Sequence, residues 1–375
     1  MPLLHPLPHS SSLDPAFAWP VKFCTYTTAT CYVLSILTGN VSQVDRLWTF
    51  LPTIYTAYYA LLPLWPHEAP APLYPYAPEN VASHMTQDFS PRAVMMLVLQ
   101  VIWMCRLSYN TWRRGLFNLH DEDYRWEILR RKLHPVLFHL TNLVFIAAIQ
   151  NMLLFLLALP TYIAAAQPHV PLGTSDYVLG GLALLTVLTE FVADNQQYSF
   201  QTFKHSAERK LNENDWPGAR IRWTTEDCER GFVTKGLWAW SRHPNFLCEQ
   251  TFWIIMNLVP LLSPQSPSLP KVVDAHHPVA SLSVLLHEPT PLWTLVPALS
   301  LCALFFSSTL FTESISMSKY PEAYGAYRRR VAMFVPFLTP VWGLLLSVFG
   351  GREERERVDR LVYGSGAGAA KVKDQ

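Results

Sequence analysis

LWAWSRHPNFLCEQTFW, residues 237 to 253, places charge at the mouth of an apolar helix and then keeps polar groups inside it. Arg242 and His243 precede Pro244, whose fixed φ and missing N–H suit the first turn of a helix. Asn245, Glu249 and Trp253 recur every four residues, which stacks them on one face of that helix. A carboxylate near hydrocarbon depth is costly, so Glu249 marks a candidate functional site. The plainer alternative is a structural pair between Glu249 and Arg242 at the membrane edge.

Working outward, half of the 375 residues are hydrophobic and only 15% are charged. Apolar runs recur without alternating polar faces, which is the composition of a polytopic membrane protein. A net charge of +1, with no basic block interleaved with aromatics, argues against a nucleic-acid partner. Cys24, Cys31, Cys105, Cys228, Cys248 and Cys302 are scattered without CxxC or Cys/His spacing, so neither a disulfide framework nor a metal site is expected. His276 and His277 are adjacent only within a Pro-rich loop. Residues 1–20 lack the charged and apolar regions of a cleavable signal peptide.

Stretches near the ~20 residues that a bilayer requires fall at about 21–39, 48–65, 92–107, 135–158, 178–196, 246–264 and 292–312. The expected fold is therefore all-α with about seven transmembrane helices. A possible eighth apolar segment, 331–349, is broken by Pro336, Pro340 and Gly343. The loops 106–134, 195–245 and 313–330 hold seven, eight and four Lys or Arg, whereas 66–91, 159–177 and 264–291 hold Lys271 alone. Under the positive-inside rule the basic loops are cytosolic and the N-terminus is lumenal. Residues 1–20 then form a lumenal segment, 21–349 the transmembrane domain with its motif core at 178–338, and 350–375 a polar tail that reads as a short charged helix followed by disorder.

Three more polar groupings lie beside the basic loops. Glu190, Asp194, Gln197 and Gln201 form a stripe at i, i+4, i+7 and i+11 that leaves an apolar helix, able to hold hydroxyls and a carboxamide. A solvated helix end explains the glutamines well and Glu190 poorly. Glu313, Tyr320, Tyr324 and Tyr327 share a helical face if Pro321 only kinks it, and Arg328 to Arg330 follow. Such arginines clamp phosphate, and positive-inside topology equally requires them. The segment 106–132 mixes Asp121, Asp123, Tyr124, Arg125 and Arg130 in the manner of a solvated, salt-bridged surface, with Tyr109 and Arg113 paired at i and i+4.

The Arg-His-Pro-Asn-aromatic-x-x-Glu pattern resembles the C-terminal signature of the steroid 5-alpha-reductase superfamily, which also contains sterol C14 reductases and is related to isoprenylcysteine methyltransferases. VDRLWTFLP and the segment from NTWRRG to DEDYRW look like its DUF1295 branch. The resemblance covers about residues 43–338 and implies a seven-helix bundle with NADPH at the cytosolic side and a lipid substrate. It carries the cofactor-binding Asn and Glu onto Asn245 and Glu249, with Trp253 one turn on, the earlier polar pair onto Glu190 and Asp194, and a cofactor-contacting tyrosine onto Tyr320. Ser308 and Thr312 stand where the reductases have Arg and an acidic or His residue, with Glu313 one place along. The second span has no Glu to polarise an enone, although Tyr55, Tyr58 and Tyr59 are present.

The reading that follows is an endoplasmic-reticulum membrane protein that reduces a carbon–carbon double bond of a lipid or sterol-like substrate with NADPH. Arg242 and His243 bind the dinucleotide, Asn245 and Glu249 fix its carboxamide, and Tyr109 or Tyr58 supplies the proton. The rivals are an S-adenosylmethionine-dependent methyltransferase, in which Glu249 faces a sulfonium, and a non-catalytic lipid-binding or scaffold protein of the same fold. Topology is testable at the sequon Asn40-Val41-Ser42. It should stay unglycosylated in a eukaryotic host while a sequon engineered near Ser266 is used; glycosylation in the reverse pattern inverts the map.

Overall fold

In the computed structural model, residues 13–206, 216–264 and 294–364 are described; the first twelve residues, Ser266, Lys271, His276, His277 and the tail from 365 lie outside them. The described residues contain helices and no strand. The long elements are α1 (Ala18–Thr38), α2 (Leu51–Ala60), α3 (Pro91–Arg113), α4 (Pro135–Ala166), α5 (Thr174–His205), α6 (Pro244–Leu261), α7 (Val296–Lys319), α8 (Pro321–Arg330) and α9 (Leu338–Tyr363). Proline sits in the first turn of α2, α3 and α8, where its missing N–H would have no partner. A π-helical stretch, Asn142–Ile149, interrupts α4.

By length and composition α3, α4, α5 and α7 can each cross a bilayer. Their exposed large side chains, such as Val98 on α3, Leu185 and Leu188 on α5, and Leu299 and Phe306 on α7, are apolar, as hydrocarbon contact requires. This is an all-α polytopic membrane protein. The other three expected spans are helical too, but differ in kind: α1 carries Lys22 and a run of threonines, and α6 opens on Asn245, Glu249 and Gln250. α2 has ten residues, about 15 Å at 1.5 Å per residue, half of what a crossing needs.

The chain divides into two units, Met1–Gly180 with Met256–Pro297, and Gly181–Ile255 with Ala298–Gln375. In the first unit, a clasp joins residues 40–46 to 118–126. Asn40 Nδ2 donates to the Leu119 and Asp121 carbonyls (3.3 and 2.9 Å), and Arg46 to those of Asn118 and Asp121 (2.9 and 2.6 Å). Trp126 Nε1 donates to Asp45 (2.8 Å), and the Asp123 N–H to Ser42 Oγ (3.0 Å). Glu122 accepts from the Val41 N–H and from Arg130. The mixed charges of 118–130 are thus a fastening and not merely a solvated surface. Burial pushes the Asp45 carboxyl up, against its bond from Trp126.

In the second unit, Tyr320 leaves helical geometry (φ −136°, ψ 61°) and Pro321 starts a new helix. The kinked single face expected for Glu313 and the tyrosines is therefore split between α7 and α8. α8 and α9 pack together through Tyr324, Tyr327, Val331, Leu346, Val358 and Val362. α9 breaks at Gly351 (φ 76°), and the charged part beyond it pairs back onto α8 by Arg329–Glu354 (2.8 Å) and Arg330–Asp359 (2.7 Å). This part of α9 is helical as far as Tyr363, with Val358 and Val362 buried.

Back in the first unit, Arg92 at the start of α3 meets Asp176 at the start of α5 at 2.8 and 3.1 Å, with Gln167 Oε1 accepting from the same guanidinium at 3.0 Å. Both charges are buried. Asp176→Ala leaves Arg92 uncompensated and is expected to cost about 3–5 kcal/mol. Adding Arg92→Met should recover much of that loss in thermal melts of detergent-solubilised protein; equal melting of the single and double variants would contradict it.

Candidate functional site

Arg242, in the loop before α6, is buried. Its Nε and Nη2 donate to the two oxygens of Glu313 on α7 (2.7 and 3.3 Å), and Nη1 to the carbonyls of Arg328 (3.2 Å) and Val331. His243 Nε2 lies 3.0 Å from Glu313 Oε1, and Arg328 Nε lies 3.2 Å from Glu313 Oε2. A carboxylate held by guanidinium only accepts, so His243 Nε2 carries the hydrogen. Burial pulls the His243 imidazole below its usual range, against the bond to Glu313. The backbone follows the side chains: Arg242 N–H donates to the Ala332 carbonyl (2.9 Å) and His243 N–H to that of Met333 (3.1 Å). The structural partner of Arg242 is therefore Glu313, and not Glu249 as the plainer reading of the sequence had it. Sequence reasoning noted Glu313 without giving it a role. Its signal was a carboxylate in the last turns of an apolar helix.

Glu249 instead accepts from Trp253 Nε1 at 2.9 Å, the i, i+4 contact that the spacing predicts. Asn245 Nδ2 donates to Asp194 Oδ1 at 3.3 Å, which links α6 to the polar stripe of α5. Glu190, Asp194 and Glu249 are all buried. Gln197 and Gln201 are half-buried, in keeping with a helix end leaving the bilayer. The glutamine that α5 does bury is Gln196, one place earlier: Oε1 accepts from the Leu237 N–H (2.9 Å) and Nε2 donates to the Gly218 carbonyl (2.9 Å). Gly236 makes room for it, since a Cβ there would stand 2.5 Å from Gln196 Oε1. That glycine was the one clue in the sequence.

Tyr320 packs against Phe232 and receives the Lys204 ammonium at its hydroxyl (3.2 Å). Gly231 admits it: φ is +88° and a Cβ would come within 2.2 Å of the ring. Nearby along α7 to α9, a cavity of about 460 Å³ is lined by Arg242, Met317, Gly325, Arg328, Arg329, Met333 and Trp342. Arg328 is 46% exposed, and Arg329, 53% exposed, shares its charge with Glu354. These three guanidiniums face two carboxylates, which leaves positive charge for an anion. Among the described residues, no three His, Cys, Asp or Glu side chains are placed to hold a metal ion.

The two phenols read as proton donors belong to the first unit. Tyr58 is buried and its hydroxyl donates to the Tyr76 carbonyl at 3.1 Å. Tyr109 is 36% exposed, and the Arg113 guanidinium lies over its ring at 5.0 Å, as their i, i+4 spacing predicts.

The fold and this site define a helical membrane protein with buried carboxylates and an arginine-lined cavity on one unit. The family model described as "Protein of unknown function (DUF1295)" matches residues 31–331, and the chain belongs to that family. It is also 32% identical over 306 residues to an uncharacterized protein of Schizosaccharomyces pombe, covering 81% of this chain and 75% of that one. No solved structure matches it.

Glu313→Gln should lower stability by about 3–5 kcal/mol, because Arg242 stays buried without its counter-charge. Arg328→Ala, which removes a half-exposed partner of the same carboxylate, should cost about 0–1 kcal/mol. Similar thermal melts for the two variants would show that Glu313 is not the organising charge.

Proposed function

We propose that this protein reduces an activated carbon–carbon double bond of a membrane lipid with NADPH, at the cytosolic face of the endoplasmic reticulum. The observation that carries the reading is the cavity lined by Arg242, Arg328 and Arg329, with Trp342 on its wall. Guanidiniums suit phosphates, and an indole face suits an adenine ring. Because most N–H groups of Arg242 are taken by Glu313 and two carbonyls, Arg328 and Arg329 are the phosphate ligands and Arg242 supports them from behind.

The nicotinamide end needs acceptors and a donor for a carboxamide. Asp194, Asn245 and Glu249 offer both, and their residue types fit the group. NADPH would supply hydride to one alkene carbon, Asp194, Asn245 and Glu249 would hold its carboxamide, and an acid would supply the proton for the other carbon. A sulfonium cofactor fits less well, since an arginine-lined cavity repels a cation.

The test is thermal stabilisation of detergent-purified protein by NADPH. Wild type should be stabilised with increasing NADPH, and Arg328→Ala should weaken binding and reduce its salt dependence while leaving the melting of the ligand-free protein nearly unchanged. Glu249→Gln should lose about 1.5–3 kcal/mol of binding, ten- to a hundredfold in affinity. If NADPH stabilises no form at concentrations spanning a plausible Kd, the reductase reading falls, and stabilisation by S-adenosylmethionine instead would point to the methyltransferase.

A further inference from the structure

A second cavity, of about 420 Å³, lies wholly within the second unit. Its walls include Thr189 of α5, Leu247 and Cys248 of α6, Pro336 and Phe337 ahead of α9, and Pro340 in the first turn of α9. Little on these walls asks for a hydrogen bond. Thr189 Oγ1 already donates to the Leu185 carbonyl (2.8 Å). Ser241, which lines the cavity from the loop before α6, donates from Oγ to the Met333 carbonyl (3.1 Å) and accepts there from the His243 N–H (3.2 Å). Trp240 beside it donates its N–H to the Leu237 carbonyl (3.1 Å), and its own carbonyl accepts from Thr339 Oγ1 (2.5 Å). Pro244, Pro336 and Pro340 have no N–H to satisfy. A buried water needs roughly two to four polar partners, and these walls have spent theirs. Left empty, the same walls forfeit their dispersion contacts. Hydrocarbon is the occupant that such a surface suits.

The cavity also adjoins the surface that faces the bilayer. Thr189 is the sixteenth of the thirty-two residues of α5, a helix long and apolar enough to cross a membrane. Leu185, one turn before it, and Leu188, next to it, are both exposed. On the opposite flank Phe337 is 83% exposed, and Leu338 and Val341 after it are exposed as well. Lipid tails cover such side chains, and the cavity lining includes no charged group for a tail to pass. The polar cluster is a separate place. Thr189, Pro244 and Cys248 each precede one of its members, Glu190, Asn245 and Glu249. Successive residues of a helix point about 100° apart, so α5 and α6 turn one face to the cavity and the adjoining face to those polar groups.

We propose that this cavity holds one acyl chain of a membrane lipid, with the headgroup outside it. At the ~30 Å³ that a water-sized group such as a methylene takes in a liquid, the space of about 420 Å³ suits a chain of about fourteen carbons and not a whole sterol. The inference concerns binding alone and stands whether or not the protein uses NADPH.

The Cys248 thiol in the wall is a probe of the cavity. The purified full chain, in a bile-salt detergent that has no long chain of its own, is labelled with N-ethylmaleimide and mapped by peptide mass, with palmitoyl lysophosphatidylcholine or cholesterol added. The palmitoyl lipid should slow labelling of Cys248 at least about tenfold, and leave that of Cys105, exposed on α3, unchanged. Thr189→Phe, which fills the space from α5, should slow Cys248 labelling by itself and remove the further effect of the lipid. Leu247→Trp supplies the same readout if Thr189→Phe does not fold. Equal protection of Cys248 and Cys105 would overturn the proposal, as would protection by cholesterol as strong as by the palmitoyl lipid, or none by either. If Cys248 is inert without lipid, a palmitoyl lipid with a diazirine near the chain end decides. Crosslinks to 237–248 and 336–340 that Thr189→Phe removes are expected; their absence would show that protein, from this chain or a second copy, already fills the cavity.

Discussion

Arg242 is the group on which the second unit depends. A guanidinium taken out of water is tolerated only when nearly every N–H finds an acceptor, and here Glu313 and two backbone carbonyls provide them. The consequence reaches past the side chain. Because the accepting carbonyls belong to the last turn of α8 and the residue after it, the loop entering α6 and residues 328–333 are held in register, and their backbones pair as well. Tyr327 then donates to the Trp238 carbonyl (2.6 Å) and Thr339 to that of Trp240 (2.5 Å). The segment 237–243 has few backbone bonds of its own, and it takes its shape from α7, α8 and the start of α9.

How much of this could be read in the sequence follows from the range of each interaction. Local rules sufficed for the start of α6 at Pro244, the Glu249–Trp253 contact and the Tyr109–Arg113 stack, all of which lie within one helical turn. The partner of Arg242 is seventy-one residues away, and nothing in helical spacing selects Glu313 over Glu249. The same limit hid the clasp of the first unit. VDRLW and DEDYRW were recognisable as patterns, yet only the fold shows that Asp45 answers Trp126 and Arg46 answers the carbonyls of 118–121. Gln196 was missed for a smaller reason, a matter of one residue in helical phase.

Hydropathy averages explain the remaining difference. A window over α2 sees tyrosines, leucines and alanines and reads a span, but the element has ten residues and a stripe of Thr49, Thr53 and Thr56 just before and along it, all buried. In α3 a single glutamine among apolar neighbours scarcely changes the mean. Its side chain is nonetheless buried, with neither end of the amide hydrogen-bonded. A window dilutes such isolated polarity, whereas packing buries it: Thr53 Oγ1 of α2 reaches the Gln100 carbonyl of α3 at 3.5 Å, inside the unit.

The same geometry settles what the broken apolar run after α8 can do. From Leu338 to Gly350 α9 is thirteen residues long, about 20 Å, and so too short to cross a ~30 Å hydrocarbon layer. Its large apolar side chains Leu344, Val348 and Phe349, with Phe337 ahead of it, are nonetheless exposed, and water is a poor solvent for such a surface. Beyond Gly351 the helix is charged and binds back onto α8 through Glu354 and Asp359. A segment apolar at one end and tied at the other to the arginines of α8 is stable when its apolar part dips into one leaflet and its charged part stays at the surface. Arg328, Arg329 and Arg330 thus serve the fold: Arg328 pairs with Glu313, and Arg329 and Arg330 hold the charged half of α9 beside α8.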